Sequence, residues 1–256
     1  MIRRALTLTL SLTFLFCLQA SAQTVDELIK KNLDAKGGVQ KLKAIKSVKM
    51  TAKIIQQGLE IPIVIQQKRP RFVRVDVTFQ GKSQTMAYDG EIGWKTDPFQ
   101  GSPDPEKIAG DDLKEAEEQS DIDGSLVDYK EKGHTVELVG KEEMEGTPVY
   151  KLKLTLKNGD VRNIYLDAEN YLELKVTMKR KTPGGEIEVD QYVGNYKPVN
   201  GFLFPFSLET KVKGQTANQI TIEKIETDVA IDDSAFKMPV KPAEKPKTED
   251  KKPPAQ

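Results

Sequence analysis

From Ser47 onward the apolar residues fall at every second position. Val48, Met50, Ala52 and Ile54 stand between Lys49, Thr51 and Lys53, and Val73, Val75, Val77 and Phe79 between Arg74, Asp76 and Thr78. Ile61, Ile63 and Ile65 keep the beat between them. After residue 134 it resumes in Tyr150–Leu156, Ile164–Leu166, Leu172–Met178, Ile187–Val193, Phe202–Leu208 and Ile220–Ile222. Only antiparallel strands with one apolar and one wet face read this way over so many segments. Gly58, Gly81, Asp89-Gly90, Asn158-Gly159, Gly184-Gly185 and Gly214 supply the turns between them. About eleven strands joined mainly by hairpins make one large, strongly curved sheet or barrel.

Helices frame and interrupt this meander. Thr24-Val-Asp-Glu27 is a capping box, Val25, Leu28, Ile29 and Leu33 follow at helical spacing, and Gly37-Gly38 ends the helix. A short second turn, Val39 to Ile45, leads into the first strand. Residues 98–130 break the alternation with Pro98, Pro103 and Pro105, then an acidic helical stretch, DDLKEAEEQSD, then a short segment from Ser125 to Lys130. This insertion is expected to cross a face or mouth of the sheet. From Lys241 the chain has no large apolar residue and is rich in proline and charge, so residues 241–256 are expected to be a disordered tail. One domain, 23–240, lies between.

The first residues, MIRRALTLTLSLTFLFCLQASAQ, have the form of a secretory signal peptide: two arginines, an apolar run from Ala5 to Leu18, and Ala20-Ser21-Ala22 before a cut at Gln23. The apolar run is shorter than the ~20 residues a membrane span needs. Phe16 stands where a lipoprotein signal wants a small residue before Cys17, so lipidation is not expected. Cleavage removes Cys17, the only cysteine, and with it disulfide and thiol chemistry. Without Arg3 and Arg4 the 39 basic residues fall to 37, against 39 acidic ones. That balance provides no general field for nucleic acid or anionic lipid.

Catalytic groups are scarce. His134 is the only histidine, which excludes a multi-histidine metal site and leaves a serine triad one possible base. At the start of a strand it reads as an exposed edge residue. Asp121-Ile-Asp123-Gly124 is similar to the start of a calcium loop, but a third acidic position and the distal glutamate are missing, so it reads as a turn. Neither a catalytic residue, a metal nor a cofactor is expected. What remains is a large sheet with an apolar face that either closes on its own side chains or holds a hydrophobic cavity under a helical lid.

Four stretches carry a resemblance: GGVQKLKAIKSVKM at 37–50, YDGEIGW at 88–94, VELVGKEEMEGTPVYKLKLTLKNGDVRNIYLDAENYLELK at 136–175 and NYKPVNGFLFPFSLE at 195–209. Together they resemble the outer-membrane lipoprotein-sorting proteins, relatives of the LolA carrier, over nearly the whole chain after the signal. The resemblance implies a mainly β fold: an incomplete antiparallel β-barrel covered by the N-terminal helix and the central helical insertion. It also implies a periplasmic, non-enzymatic carrier or binder of lipoprotein acyl chains or lipids, working as a monomer with a membrane protein as donor or acceptor. The alternative is an envelope-stress sensor or scaffold on the same fold; a hydrolase is disfavoured. The family's gating arginine has no residue-by-residue match here, and Arg69, Arg71, Arg74 and Arg162 are the candidates.

On this reading the cavity wall is drawn from Met50, Ile54, Ile63, Ile65, Val73, Val75, Val77, Phe79, Tyr88, Trp94, Phe204 and Phe206. The lid stripe is Val25, Leu28, Ile29 and Leu33. Trp94, the only tryptophan, has two readings: packing across the Asp89-Gly90 hairpin, or a ring at the cavity mouth. Pro205, next to two of the phenylalanines, points to an edge or an opening.

Overall fold

The computed structural model describes residues 23–182 and 184–240; the expected signal peptide (1–22) and charged tail (241–256) lie outside the described residues. The chain begins with helices α1 (Val25–Ala35) and α2 (Val39–Ala44). A first meander follows: β1 (Ser47–Gln56), β2 (Leu59–Lys68), β3 (Phe72–Phe79), β4 (Lys82–Tyr88), β5 (Gly93–Asp97) and β6 (Ser102–Lys107). Helix α3 (Gly110–Gln119) and a run of turns lead to the second: β7 (Thr135–Met144), β8 (Thr147–Thr155), β9 (Val161–Asp167), β10 (Glu173–Thr182) and β11 (Gly185–Gly194). A ribbon of β12 (Lys197–Val199) and β13 (Phe202–Phe204) precedes β14 (Ser207–Val212), β15 (Gln215–Thr227) and a single 3-10 turn, Asp233–Ala235.

Thirteen strands form one antiparallel sheet in the order β6-β5-β4-β3-β2-β1-β15-β14-β11-β10-β9-β8-β7. The last long strand returns to pair with the first, Val48 opposite Thr227 and Ile54 opposite Ile220. The two edges, β6 and β7, are not hydrogen-bonded to each other, so the sheet is an incomplete barrel. They are consecutive in sequence, and residues 108–134 carry the chain from one to the other. The strand count exceeds the eleven legible in the alternation partly because Pro103 and Pro105, which read as loop, lie in β6. An edge strand tolerates proline because a missing N–H on the open side breaks no ladder bond.

The inward face is filled in three patches. Leu28 and Ile29 of α1 are buried against Leu152, Leu154, Ile164 and Leu166 of β8 and β9; each such side chain contributes about 1.5–3 kcal/mol over exposure. The Thr24–Glu27 capping box is present in full. Leu42 of α2, Phe202, Phe204, Phe206 and Val127 cover Val48, Ala52, Ile63 and Ile222. Ala116 and Leu113 of α3, with Ile108, cover Val73 and Tyr88.

The α1–α2 junction rests on the β12–β13 turn. Leu203 N–H donates to the Lys36 carbonyl at 2.6 Å. Gly37, at φ +116°, lies so close that a Cβ there would sit 2.3 Å from the Gly201 carbonyl oxygen. A backbone contact cannot yield as a side chain would. We expect Gly37→Ala to lower the unfolding free energy by about 1–3 kcal/mol, read as a lowered denaturant midpoint with an unchanged slope.

Arg69 fixes α2 and the 121–124 turn together. Its guanidinium donates to both carboxylate oxygens of Asp123 and to the Leu42 and Ile45 carbonyls. The Arg69 hydrogen bonds hold the Asp123 carboxyl below its ordinary value, against an opposing desolvation. A depressed folded value means the pair stabilises fully above the unfolded carboxyl's pKa of ~3.9 and loses that contribution as pH falls through the folded value. Asp123→Asn should therefore flatten the acid limb of a stability–pH curve below about pH 4.

Candidate functional site

The concave face between α2, the ribbon and α3 is where an apolar site can exist. Cross-strand register puts Met50 opposite Ile65, Ala52 opposite Ile63, Ile63 opposite Val77 and Ile65 opposite Val75, all on that face. Ile63 is buried, while Met50, Ile54, Ile65, Val75 and Val77 are only half-buried against the same cluster. Leu208, Ile220 and Ile122 join them in that state. A ready-made row of large aliphatic side chains, partly wetted and inside a curved sheet, is the arrangement a hydrophobic ligand requires.

The remaining candidates fall elsewhere. Val73 and Tyr88 lie sealed beneath α3, and the Tyr88 hydroxyl donates to the Gly90 carbonyl at 2.8 Å. Burial raises that phenol above its ordinary value. Phe204 and Phe206 are buried filling, Phe204 edge-on to Phe202 with centroids 5.2 Å apart. Phe79 is half-buried near Phe99 at 6.3 Å. Of the stripe on α1, Leu28 and Ile29 are buried, and Val25 and Leu33 are half-buried at its margin. Ile29 and Leu33, with Val39 and Leu126, also floor an open groove of about 460 Å³ between α1, α2 and residues 126–131.

Trp94 must be corrected: it is not in the cavity wall. The loop from Asp89 to Ile92 sets Gly93 opposite Tyr88, so Trp94 stands opposite Ala87. Neighbours directly opposite share a face, and Ala87 lies on the face away from Tyr88. Trp94 therefore points to the convex side. There the segment 228–236 runs across five strands as a strap. The Ser47 hydroxyl donates to the Val229 carbonyl, the Lys68 ammonium to Ile231, the Arg74 guanidinium to Ala235 and the Trp94 indole to Phe236, at 2.7–2.8 Å. Phe236, fully buried, stacks on Phe72 at 5.2 Å. No periodicity announces this strap; the only local signal is the Asp232 cap that accepts from Ser234 N–H.

Of the arginine candidates, Arg69 ties α2 to the 121–124 turn, Arg71 binds the Ser120 hydroxyl and Glu117 carbonyl at the end of α3, and Arg74 lies on the convex face with Asp76. Arg162 reaches from β9 to Glu118 of α3. Arg180 of β10, which sequence reasoning did not single out, approaches Glu115 at 3.5 Å. On its other side α3 is held by Lys95 to Asp112 at 2.7 Å. His134 accepts from Lys157 N–H through Nδ1, and burial depresses its pKa, so the ring is a neutral turn-closing acceptor. Among the described residues no group of three or more His, Cys, Asp or Glu side chains could hold a metal ion. Among them, too, no helix is long and apolar enough to cross a membrane.

No protein-family model matches the sequence, and no curated protein matches it. Solved structures do. A LolA superfamily protein from Nitrosomonas europaea superposes with a TM-score of 0.54 at 13% identity, over 84% of this chain and 98% of its own. A domain named for outer-membrane lipoprotein sorting, from Vibrio parahaemolyticus, gives 0.52 at 13% identity, over 81% of this chain and 97% of its own. The fold is LolA-like.

Trp94 and Phe236 make a direct test of the two-faced sheet. Phe236→Ala should cost about 3–5 kcal/mol and shift Trp94 emission to longer wavelength as water enters. An apolar ligand held in the concave face should leave that emission unchanged.

Proposed function

We propose that this protein is a non-enzymatic periplasmic carrier or binder of lipid or lipoprotein acyl chains. One observation carries the reading: a row of half-buried aliphatic side chains, Met50, Ile54, Ile65, Val75 and Val77, on the concave face of an unclosed sheet. In a solid core such residues are packed to completion. Here they remain partly wet, and a helix carrying the chain between the two sheet edges stands over the same face. Each acyl CH₂ withdrawn from water gains ~0.8 kcal/mol, so one long chain supplies on the order of 10 kcal/mol without covalent chemistry. The LolA-like fold supports the same reading, as does the leader-like start of the sequence.

Helix α3 serves as the moving cover. Its apolar base is small, Leu113 and Ala116 with Ile108, and the rest of its hold is polar: the ion pairs of Asp112, Glu115 and Glu118, and hydrogen bonds from Gln67 and Arg71 to its last turn. Helix α1, by contrast, is fixed by buried Leu28 and Ile29, by Asn32 donating to the Tyr171 carbonyl at 2.8 Å, and by the Lys36–Glu173 pair at 2.9 Å.

A pair of substitutions tests the site. Val77→Asp, at a half-buried inward position, should leave the protein folded and abolish binding of a fluorescent fatty-acid analogue, because an unpaired carboxylate against the ligand costs several kcal/mol. Val73→Asp, at a fully buried position, should instead unfold it. Binding that survives intact in a folded Val77→Asp protein, or no binding by the delipidated parent, would sink the carrier reading.

A further inference from the structure

Two guanidinium groups face the hollow from the wall opposite the aliphatic row. Arg162 stands opposite Leu154 and Met178 in the register of β8, β9 and β10, and Leu154 is fully buried on the inward face. Arg180 lies two residues beyond Met178, hence on the same face. Diagonal neighbours of this kind are ~7–8 Å apart at Cα, within reach of a shared small group for side chains as long as arginine. Their partners are Glu118 and Glu115, one turn apart on α3. The helix thus offers two carboxylates, at matched spacing, to two arginines of the cavity wall.

Chemistry restricts what can replace α3 there. The Arg162 side chain is only 25% exposed and has the apolar Met178 and Leu154 as its cross-strand neighbours. If the cover lifts, this fixed cation loses its counter-charge in a partly dry place. Leaving it unpaired is costly, and a neutral group does not repay the loss. A phosphate or carboxylate does, because guanidinium forms paired, charge-assisted bonds with either. Beyond Met178 the inward path continues through Val189, which pairs with it, toward Leu208 and Ile220.

We propose that Arg162 and Arg180 form the headgroup site of the cavity, that the ligand is an anionic amphiphile, and that Glu118 and Glu115 of α3 occupy this site as built-in mimics of the headgroup. This rests on the carrier reading above and specifies its ligand. The anionic head exchanges with the two carboxylates while the tail lies on the aliphatic row, so the ligand itself releases the ionic side of the cover.

The test compares two probes that differ only in the phosphate, 1-myristoyl lysophosphatidic acid and 1-monomyristoylglycerol, titrated calorimetrically into the delipidated protein, with inorganic phosphate as a third titrant. The phosphate-bearing probe should bind at least about tenfold tighter, the scale of one charge-assisted pair. Arg162→Gln should erase that preference and leave the glycerol ester unchanged. The exchanged pair R162E/E118R keeps the helix contact but moves the cation from the wall to α3 and leaves a carboxylate in its place, so it should erase the preference too; E115Q/E118Q should increase it. Equal affinities in the parent, or a preference that survives in folded R162Q and R162E/E118R, would overturn the headgroup site while leaving the carrier reading standing. Binding of neither amphiphile would overturn both. Inorganic phosphate that binds through Arg162 as tightly as the lysolipid would mark a free-anion site and reject the amphiphile.

Discussion

A sheet that curls without closing leaves two obligations, and the rest of this molecule answers them. The apolar inner face must be kept from water, and the unpaired edges β6 and β7 must be prevented from recruiting foreign strands. Closure would remove the edges but would not by itself fill the interior of so wide a sheet. Here the edges are managed locally: Pro103 and Pro105 remove donors from β6, and β7 carries a register shift at Leu138/Gly140. The inner face is met by three separate covers, and because they are separate, the aliphatic row between them stays half-wet.

Much of this is legible in the sequence because it rests on local rules. Period two gives the strands and their inward residues, the Thr24–Glu27 pair gives the helix start, and Gly37-Gly38 gives its end. The acidic stretch after Ile108 gives α3. What is not legible depends on counting or on distant pairing. Trp94 changes faces because the loop before it sets Gly93, not Trp94, opposite Tyr88; one residue of register decides which side of a sheet a side chain takes. The strap at 228–236 binds through carbonyl groups, which every residue has, so nothing in its side chains marks it in advance. Arg180 and Glu115 lie 65 positions apart in the numbering, and only the curl of the sheet makes them neighbours.

The strap gives the two halves of the sheet different mechanical character. Strands β1 to β5 have the apolar clusters within and, across the end that holds Ser47, Lys68, Arg74 and Trp94, Phe236 and its hydrogen-bonded segment without. On the convex face of β8 to β11 the cover is the side chains themselves, with Val149, Tyr165 and Thr177 buried among them. There Lys151, Lys175 and Lys211 lie over Tyr165 and Tyr192 at 4.4–5.6 Å, cation–π contacts that hold the lysine stems against the rings. Helix α3 joins the two halves with unlike bonds: apolar contacts, hydrogen bonds from Gln67 and Arg71 and the Lys95–Asp112 pair to the strapped half, and the Arg162 and Arg180 ion pairs to the other. On the proposed reading such a cover pivots on its more heavily bonded side and lifts at the two arginines.

Magnitudes show what the ionic side can and cannot do. Half-exposed ion pairs such as Arg180–Glu115 are worth ~0.2–1 kcal/mol each, whereas an acyl chain gains on the order of 10 kcal/mol by leaving water. The pairs are thus too weak to exclude a ligand by holding the helix down. They are strong enough to discriminate, since opening exposes Arg162, the more buried of the two arginines, and the cost of leaving it unpaired falls on any ligand without a negative group. Affinity in such a site comes from the aliphatic row, and selectivity from the charges at its rim.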